Sequence, residues 1–288
     1  MRHLVFLCVL CASAVNTLPA QEKKPPDKRA EEMSRDLSRA MSKAEGPLET
    51  IQALEGHLKR YPDSPRRLEL YRTIINASNE INDEARVVEY GEKVLAEDSE
   101  DVPLLELVAR LLLGRGDAAS AARAVRYGDL LVAAVPKLME RRAPRSTSGP
   151  RWQYEMGRNV ARAYLVRGTA LLRSGPPEKA REDLEKSWSL ARTGEAAERL
   201  GELEEKLGRA DAAIARYVEA FAVPDARHTA EDKQRIRRKL AELYRAAGRP
   251  ETDLGNLILA AYDRLAAEQA ERTAWRRASA NTGRTNPF

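Results

Sequence analysis

The sequence predicts an all-α chain built as a solenoid of antiparallel helix pairs. Three observations carry that expectation. Gly168, Leu171, Ala180, Leu184 and Ser187 recur 33 residues on as Gly201, Glu204, Ala213, Tyr217 and Ala220. A fixed period of this size marks stacked hairpins, none of which can bury its apolar face alone. The composition is 43% hydrophobic and 32% charged with only 5% aromatic residues, which suits an extended helical surface rather than a β-rich core. Alanine, leucine, glutamate and arginine, all strong helix formers, dominate it. No segment alternates apolar and polar residues at period two, so no sheet is expected.

The elements follow in order. Met1-Arg2-His3 is a short basic start, and Leu4 to Val15 is an apolar run too short to span a bilayer. With the small residue Ala20 behind it, residues 1–20 read as a secretory signal peptide, placing the mature protein in the periplasm or outside the cell. Both cysteines, Cys8 and Cys11, lie in this leader. The mature chain therefore has no thiolate nucleophile, disulfide or cysteine-based metal site. Loss of Arg2 with the leader leaves 48 basic against 44 acidic residues. That mild, mixed charge argues against a nucleic-acid partner.

Residues 21–29, with Lys23-Lys24-Pro25-Pro26, read as a disordered tether. Residues 30–64 form a helix pair: one helix over 30–44, a break at Gly46-Pro47, then a helix to Tyr61 with Ile51, Leu54 and Leu58 on one face. Residues 65–136 hold two more hairpins, in which Ile75, Asn82, Val87 and Val94 recur 34 residues on as Ala109, Gly116, Ala121 and Gly128. Residues 137–151, including Arg141-Arg142-Ala143-Pro144-Arg145 and Ser148-Gly149-Pro150, read as a basic surface loop. Residues 152–275 contain the two clear repeats, with Gly175 and Gly208 ending their first helices. They go on to a fifth first helix around Ala241 and a capping helix striped by Leu254, Leu257, Ala261 and Leu265. Residues 276–288 read as a disordered tail or linker.

Leu200-Gly201-Glu202-Leu203, Leu207-Gly208-Arg209, Ala213-Ile214, Tyr217 and Glu219-Ala220 resemble a tetratricopeptide repeat. So do Gly168-Thr169-Ala170-Leu171-Leu172, Gly175, Glu178-Lys179-Ala180 and Leu184. The resemblance covers roughly residues 65–270, and Glu204 departs from it by standing where a large aromatic is common. It implies a right-handed superhelix in which Ala109, Ala121, Gly168, Ala180, Gly201, Ala213, Tyr217 and Ala241 are structural repeat positions. Small residues at the crossings let paired helices approach closely. It also implies that the first helix of each pair lines a concave groove. That wall would hold Arg72, Asn76, Asn79, Glu106, Arg110, Arg162, Leu165, Thr169, Arg173, Glu198, Glu202, Glu205, Arg235, Arg238 and Arg245, an acidic band between basic ones. Such a wall suits a protein or peptide partner of complementary charge. Arg72 and Asn76 imitate one corner of a carboxylate clamp, but Leu107 stands where its asparagine is needed.

Catalysis finds no support. His57 and His228 lack ligand-spaced companions, and no phosphate loop, nucleophile elbow or HExxH is present. No enzyme activity, cofactor or metal is expected, nor an integral membrane segment once the leader is removed. Arg115-Gly116-Asp117 reads as an inter-helix turn, and the Asn76-Ala77-Ser78 sequon falls within a helix. The expectation is a non-enzymatic extracytoplasmic interaction scaffold. The ending, from Trp275-Arg276-Arg277 to Pro287-Phe288, also resembles the linker before a TlpA-type redoxin domain. That resemblance implies an alternative, the recruiting region of a truncated thiol–disulfide enzyme.

Overall fold

The computed structural model describes residues 28–140 and 149–282. The proposed leader, residues 21–27 of the tether, residues 141–148 of the basic loop and the tail beyond Thr282 lie outside the described residues. Within them there are twelve helices and no strand. They form six hairpins: α1 (Lys28–Met41) with α2 (Pro47–Arg60), α3 (Arg67–Glu80) with α4 (Glu84–Glu97), α5 (Val102–Gly114) with α6 (Ala118–Glu140), α7 (Gly149–Ser174) with α8 (Pro177–Leu190), α9 (Gly194–Lys206) with α10 (Ala210–Ala222), and α11 (Ala230–Ala246) with α12 (Glu251–Thr282). Each helix packs on its successor. First helices also touch one another, α5 with α7 and α7 with α9, and so form one wall of the array; on the other side α10 meets α12. The chain is thus an all-α solenoid of helical hairpins. No helix among the described residues is long and apolar enough to cross a membrane.

Close approach explains the repeated small residues. A Cβ on Gly168 would lie 2.9 Å from Leu184 Cδ2, and one on Gly201 would lie 2.9 Å from Tyr217 Cε1. Ala180 and Ala213, on the facing helices, are fully buried. Between hairpins, a different close approach is made by Gly91 of α4 against Val108 of α5 and by Gly128 of α6 against Arg167 of α7. Gly128 therefore corresponds to Gly91 rather than to Val94. The register of 34 holds at the turns, where Asn82 and Gly116 both have positive φ (55° and 76°), but slips by about one helical turn inside the second helix. Gly208 and Gly248 end their helices the same way (φ 71° and 67°). Gly175 does not: it stays out of the left-handed region, and Pro177 opens the next helix.

Two apolar cores meet at α7. Ala163, Val166 and Ala170 face the core of the N-terminal hairpins, while Leu165, Leu171 and Leu172 face the C-terminal one. Several expected boundaries shift. Much of the insertion before Gly168 is helical: α6 continues through Pro136 to Glu140, and α7 starts at Gly149. The first helix begins at Lys28, inside the expected tether, and α12 runs to Thr282, beyond the expected boundary at 275. The buried stripe of α12 is Leu254, Ile258, Ala261 and Leu265; Leu257, expected in it, is 38% exposed. On α2 the buried face is Ile51, Leu54 and His57. His57 Nδ1 lies 3.0 Å from Asp36 Oδ2 on α1, and Arg60 also pairs with that carboxylate.

Neighbouring second helices are stitched by a recurring polar pattern. Glu55 accepts from Arg86 Nε and Tyr90 Oη, each at 3.1 Å, and Glu92 accepts from Arg123 Nε at 3.1 Å and Tyr127 Oη at 2.9 Å. The spacings, 31 residues to the arginine and 35 to the tyrosine, are the same in both. Arg216 and Glu185 repeat the arginine half. Burial, then the bond to Glu92, pushes the Tyr127 phenol up to about 12, so it stays a donor.

Candidate functional site on the inner wall

The wall of first helices gathers most of the groove residues but pairs them with one another. Arg110 on α5 reaches Glu106 at 3.1 Å and, across α7, Glu195 on α9 at 3.4 Å. Arg162 on α7 approaches Glu106 at 3.6 Å. Arg173 donates to the Leu113 carbonyl at the end of α5, and Lys206 donates to that of Leu172 at 2.8 Å. Arg235 on α11 grips the Glu198 carboxylate through Nε and Nη2 at 2.9–3.1 Å. Glu205 accepts from Tyr217 Oη at 2.6 Å and meets Lys239 at 2.8 Å. Glu202 pairs with Arg199 along its own helix.

Other predicted positions differ. Thr169 is buried, with its hydroxyl bonded at 2.7 Å to the Leu165 carbonyl one turn back, so it belongs to the core. Leu165 is 4% exposed and is both a core residue and a wall of the cleft described below. Arg72 turns to Asp98 and Asp101 at the α4–α5 junction. Arg245 pairs with Glu251 of its own hairpin at 3.4 Å. Asn76, Asn79 and Arg238 are exposed and make no ion pair among the described residues. Glu204, the departure from the repeat pattern, is 3% exposed and pairs with Arg181 of α8.

Five predicted residues, Arg110, Arg162, Leu165, Glu198 and Arg235, line one cleft of ≈ 270 Å³ together with Arg199 and His228. The α9 N-terminus builds its floor. Thr193 caps the helix by accepting from the Ala196 N–H at 3.2 Å, and Asp225 of the α10–α11 loop accepts from the Gly194 N–H at 3.1 Å. His228, from the same loop, lies flat on Gly194. A Cβ there would fall 2.3 Å from Nδ1, so glycine is what admits the ring.

The His228 side chain is only 5% exposed, and Nε2 stands 3.9 Å from Glu198 Oε2, beyond hydrogen-bond range. Neither ring nitrogen has a hydrogen-bond partner, nor do the buried Nε atoms of Arg162 and Arg199. Burial opposes the charge of Glu198, but the Arg235 fork, with the charge of Arg199 nearby, outweighs it and holds the carboxyl below the usual glutamate range. Glu202 goes the other way: burial raises it, with Arg199 opposing. The cleft thus offers unused polar atoms at its wall and charge of both signs. Sequence reasoning left His228 as an inert loop histidine; the signal was the glycine directly after the Thr193 cap.

Stacked helical hairpins with a polar inner wall define a helical-repeat solenoid. No protein-family model matches the chain, and no curated protein matches it. Among solved structures, the crystal structure of MamA protein is 19% identical, with 73% of this chain and 94% of that chain covered and a TM-score of 0.43. TTC0263, a thermophilic TPR protein in Thermus thermophilus, is 16% identical, with 74% and 98% covered and a TM-score of 0.39. The solenoid assignment rests on the chain's own hairpin stacking.

Proposed function

We propose that this chain is a non-enzymatic interaction scaffold that holds an extended segment of a protein partner along its inner wall, and that it works outside the cytoplasm. One observation carries the binding half: the inner-wall cleft, where buried polar atoms of Arg162, Arg199 and His228 make no hydrogen bond. Unsatisfied buried donors are costly, and a peptide's carbonyls and carboxylates would satisfy them. Charge of both signs along the wall favours a partner segment of mixed charge. The export half rests on the leader-like residues 1–20. Partner capture from the host by crosslinking tests the binding half. Arg162→Glu with Arg238→Glu is expected to cut capture about tenfold or more while the helical circular dichroism stays unchanged. Unchanged capture by the double variant would remove the inner wall from the reading.

A further inference from the structure

The long last helix makes a second cleft, on the opposite side of the Asp225–Gly194 bridge from the inner wall. At 32 residues α12 is roughly 48 Å long. Its second half reaches back over the ends of earlier hairpins. Arg272 donates to the Ser189 carbonyl at the end of α8 (3.3 and 3.4 Å), Glu268 pairs with Arg192 at 3.1 Å, and α12 touches α7. Between α12, the start of α7 and the α8–α9 and α10–α11 connections it leaves a cavity of ≈ 490 Å³. That volume lies in the roughly 300–1,000 Å³ range of small-molecule pockets. Walls on all four of these elements suit a compact ligand better than an extended chain.

The lining states the chemistry. Arg158, Arg192, Arg227 and Arg272 face the cavity, against two carboxylates, Asp225 and Glu268. Asp225 is committed: it accepts from the Gly194 and Arg227 backbone N–H groups. Glu268 forms an ion pair with Arg192, although its buried Oε2 makes no hydrogen bond. Arg272 is bonded to Ser189, but the other three arginines are less tied. Arg158 stacks over the Tyr154 ring at 5.7 Å, and neither it nor Arg227 makes an ion pair among the described residues. Arg192 lies over Trp188 at 4.5 Å, and its buried Nε makes no hydrogen bond. Leu190, Val223 and Leu265 supply an apolar floor. Guanidinium forks match planar oxyanions, and the floor requires a hydrocarbon or aromatic body.

We propose that the cavity under α12 is a binding site for a small organic anion with an apolar body, of the carboxylate-amphiphile class. Isothermal titration calorimetry of the full chain tests it with decanoate, decan-1-ol and acetate, each below its aggregation limit. Decanoate is expected to bind saturably, with decan-1-ol and acetate weaker by about tenfold or more, because each keeps only half of the recognition. Arg158→Glu reverses one guanidinium, and Ala226→Trp fills the cavity from an exposed loop position. Neither residue touches the inner-wall cleft, and each change should weaken decanoate about tenfold. Absence of saturable decanoate binding overturns the proposal. So does equal binding of decan-1-ol, or wild-type affinity in both variants. If either variant loses helical signal, the other decides; if both do, the decanoate–decanol comparison on the unaltered chain decides.

Discussion

Replacing Gly201 by alanine should destabilise the chain, although the same change at Gly56 should stabilise it. Both glycines sit inside helices, where alanine gains about 1 kcal/mol of intrinsic propensity. At Gly56 nothing lies within 4 Å of the added methyl, so that gain stands nearly alone. At Gly201 the methyl would lie 2.9–3.0 Å from three atoms of the Tyr217 ring. That ring is 3% exposed and anchored by its 2.6 Å bond to Glu205, so it cannot swing into solvent. Overpacking of this kind costs about 1–3 kcal/mol, and a loosened bond to a charged acceptor adds about 1.5 kcal/mol more. Set against the propensity gain, Gly201→Ala should lose about 2 kcal/mol, while Gly56→Ala gains about 0.5–1 kcal/mol. Urea unfolding followed by circular dichroism at constant slope gives both differences as midpoint shifts of opposite sign. Stabilisation of both variants by the same amount would refute close approach at Gly201 as the reason for the repeated glycine.

Two further outcomes are expected. The side chains of Asp83 and Asp117 accept from the backbone N–H groups of Arg86 and Ser120, which hold both carboxyls below the usual aspartate range. Their contribution is therefore complete above about pH 4 and is lost as pH falls through their folded-state values. Asparagine keeps the cap but lacks the charge and does not titrate. The urea midpoint of the Asp83→Asn, Asp117→Asn variant should thus lie below wild type at pH 7, with the gap narrowing as pH falls below about 4; a gap independent of pH contradicts this. For export, amino-terminal sequencing of protein from the host should begin at Gln21, and a chain still starting at Met1 would sink that half of the functional proposal.

The central hairpins were legible because close helix approach leaves only small residues at fixed spacing, as at Gly168/Ala180 and Gly201/Ala213. The α6–α7 junction was not. Pro144 and Pro150 read as breakers, yet Pro150 is the second residue of α7, where a proline costs no helical hydrogen bond, and α6 carries Pro136 within it and runs on to Glu140. On α12 the expected Leu257 and the observed Ile258 are adjacent apolar residues, and only packing against α10 chooses between them. The Glu55–Arg86–Tyr90 pattern and its copy at Glu92 went unseen because their 31- and 35-residue spacings join second helices of different hairpins. Individually, each of those residues looks like ordinary surface charge. The sign blocks of the inner wall were visible in the sequence. Their mutual pairing was not, because it depends on which turns of α5, α7, α9 and α11 come level.

That pairing changes what the wall can recognise. Arg110, Arg162 and Lys239 sit in pairs whose cationic partner is 37–39% exposed, and pairs this open are worth about 0–1 kcal/mol each. A partner carboxylate can exchange for Glu106 or Glu195 at little net loss. Glu198 is different: its side chain is 9% exposed, and removing Arg235 would leave a buried charge without its fork. Glu198 and Arg235 therefore join α9 to α11 as a fixed post of the array, and the proposed recognition falls to the arginines around it. Affinity built on exchangeable, half-exposed ion pairs is spread over many contacts and weakens as salt screens them. This is the behaviour expected of a wall that grips an extended segment along its length rather than at one deep anchor.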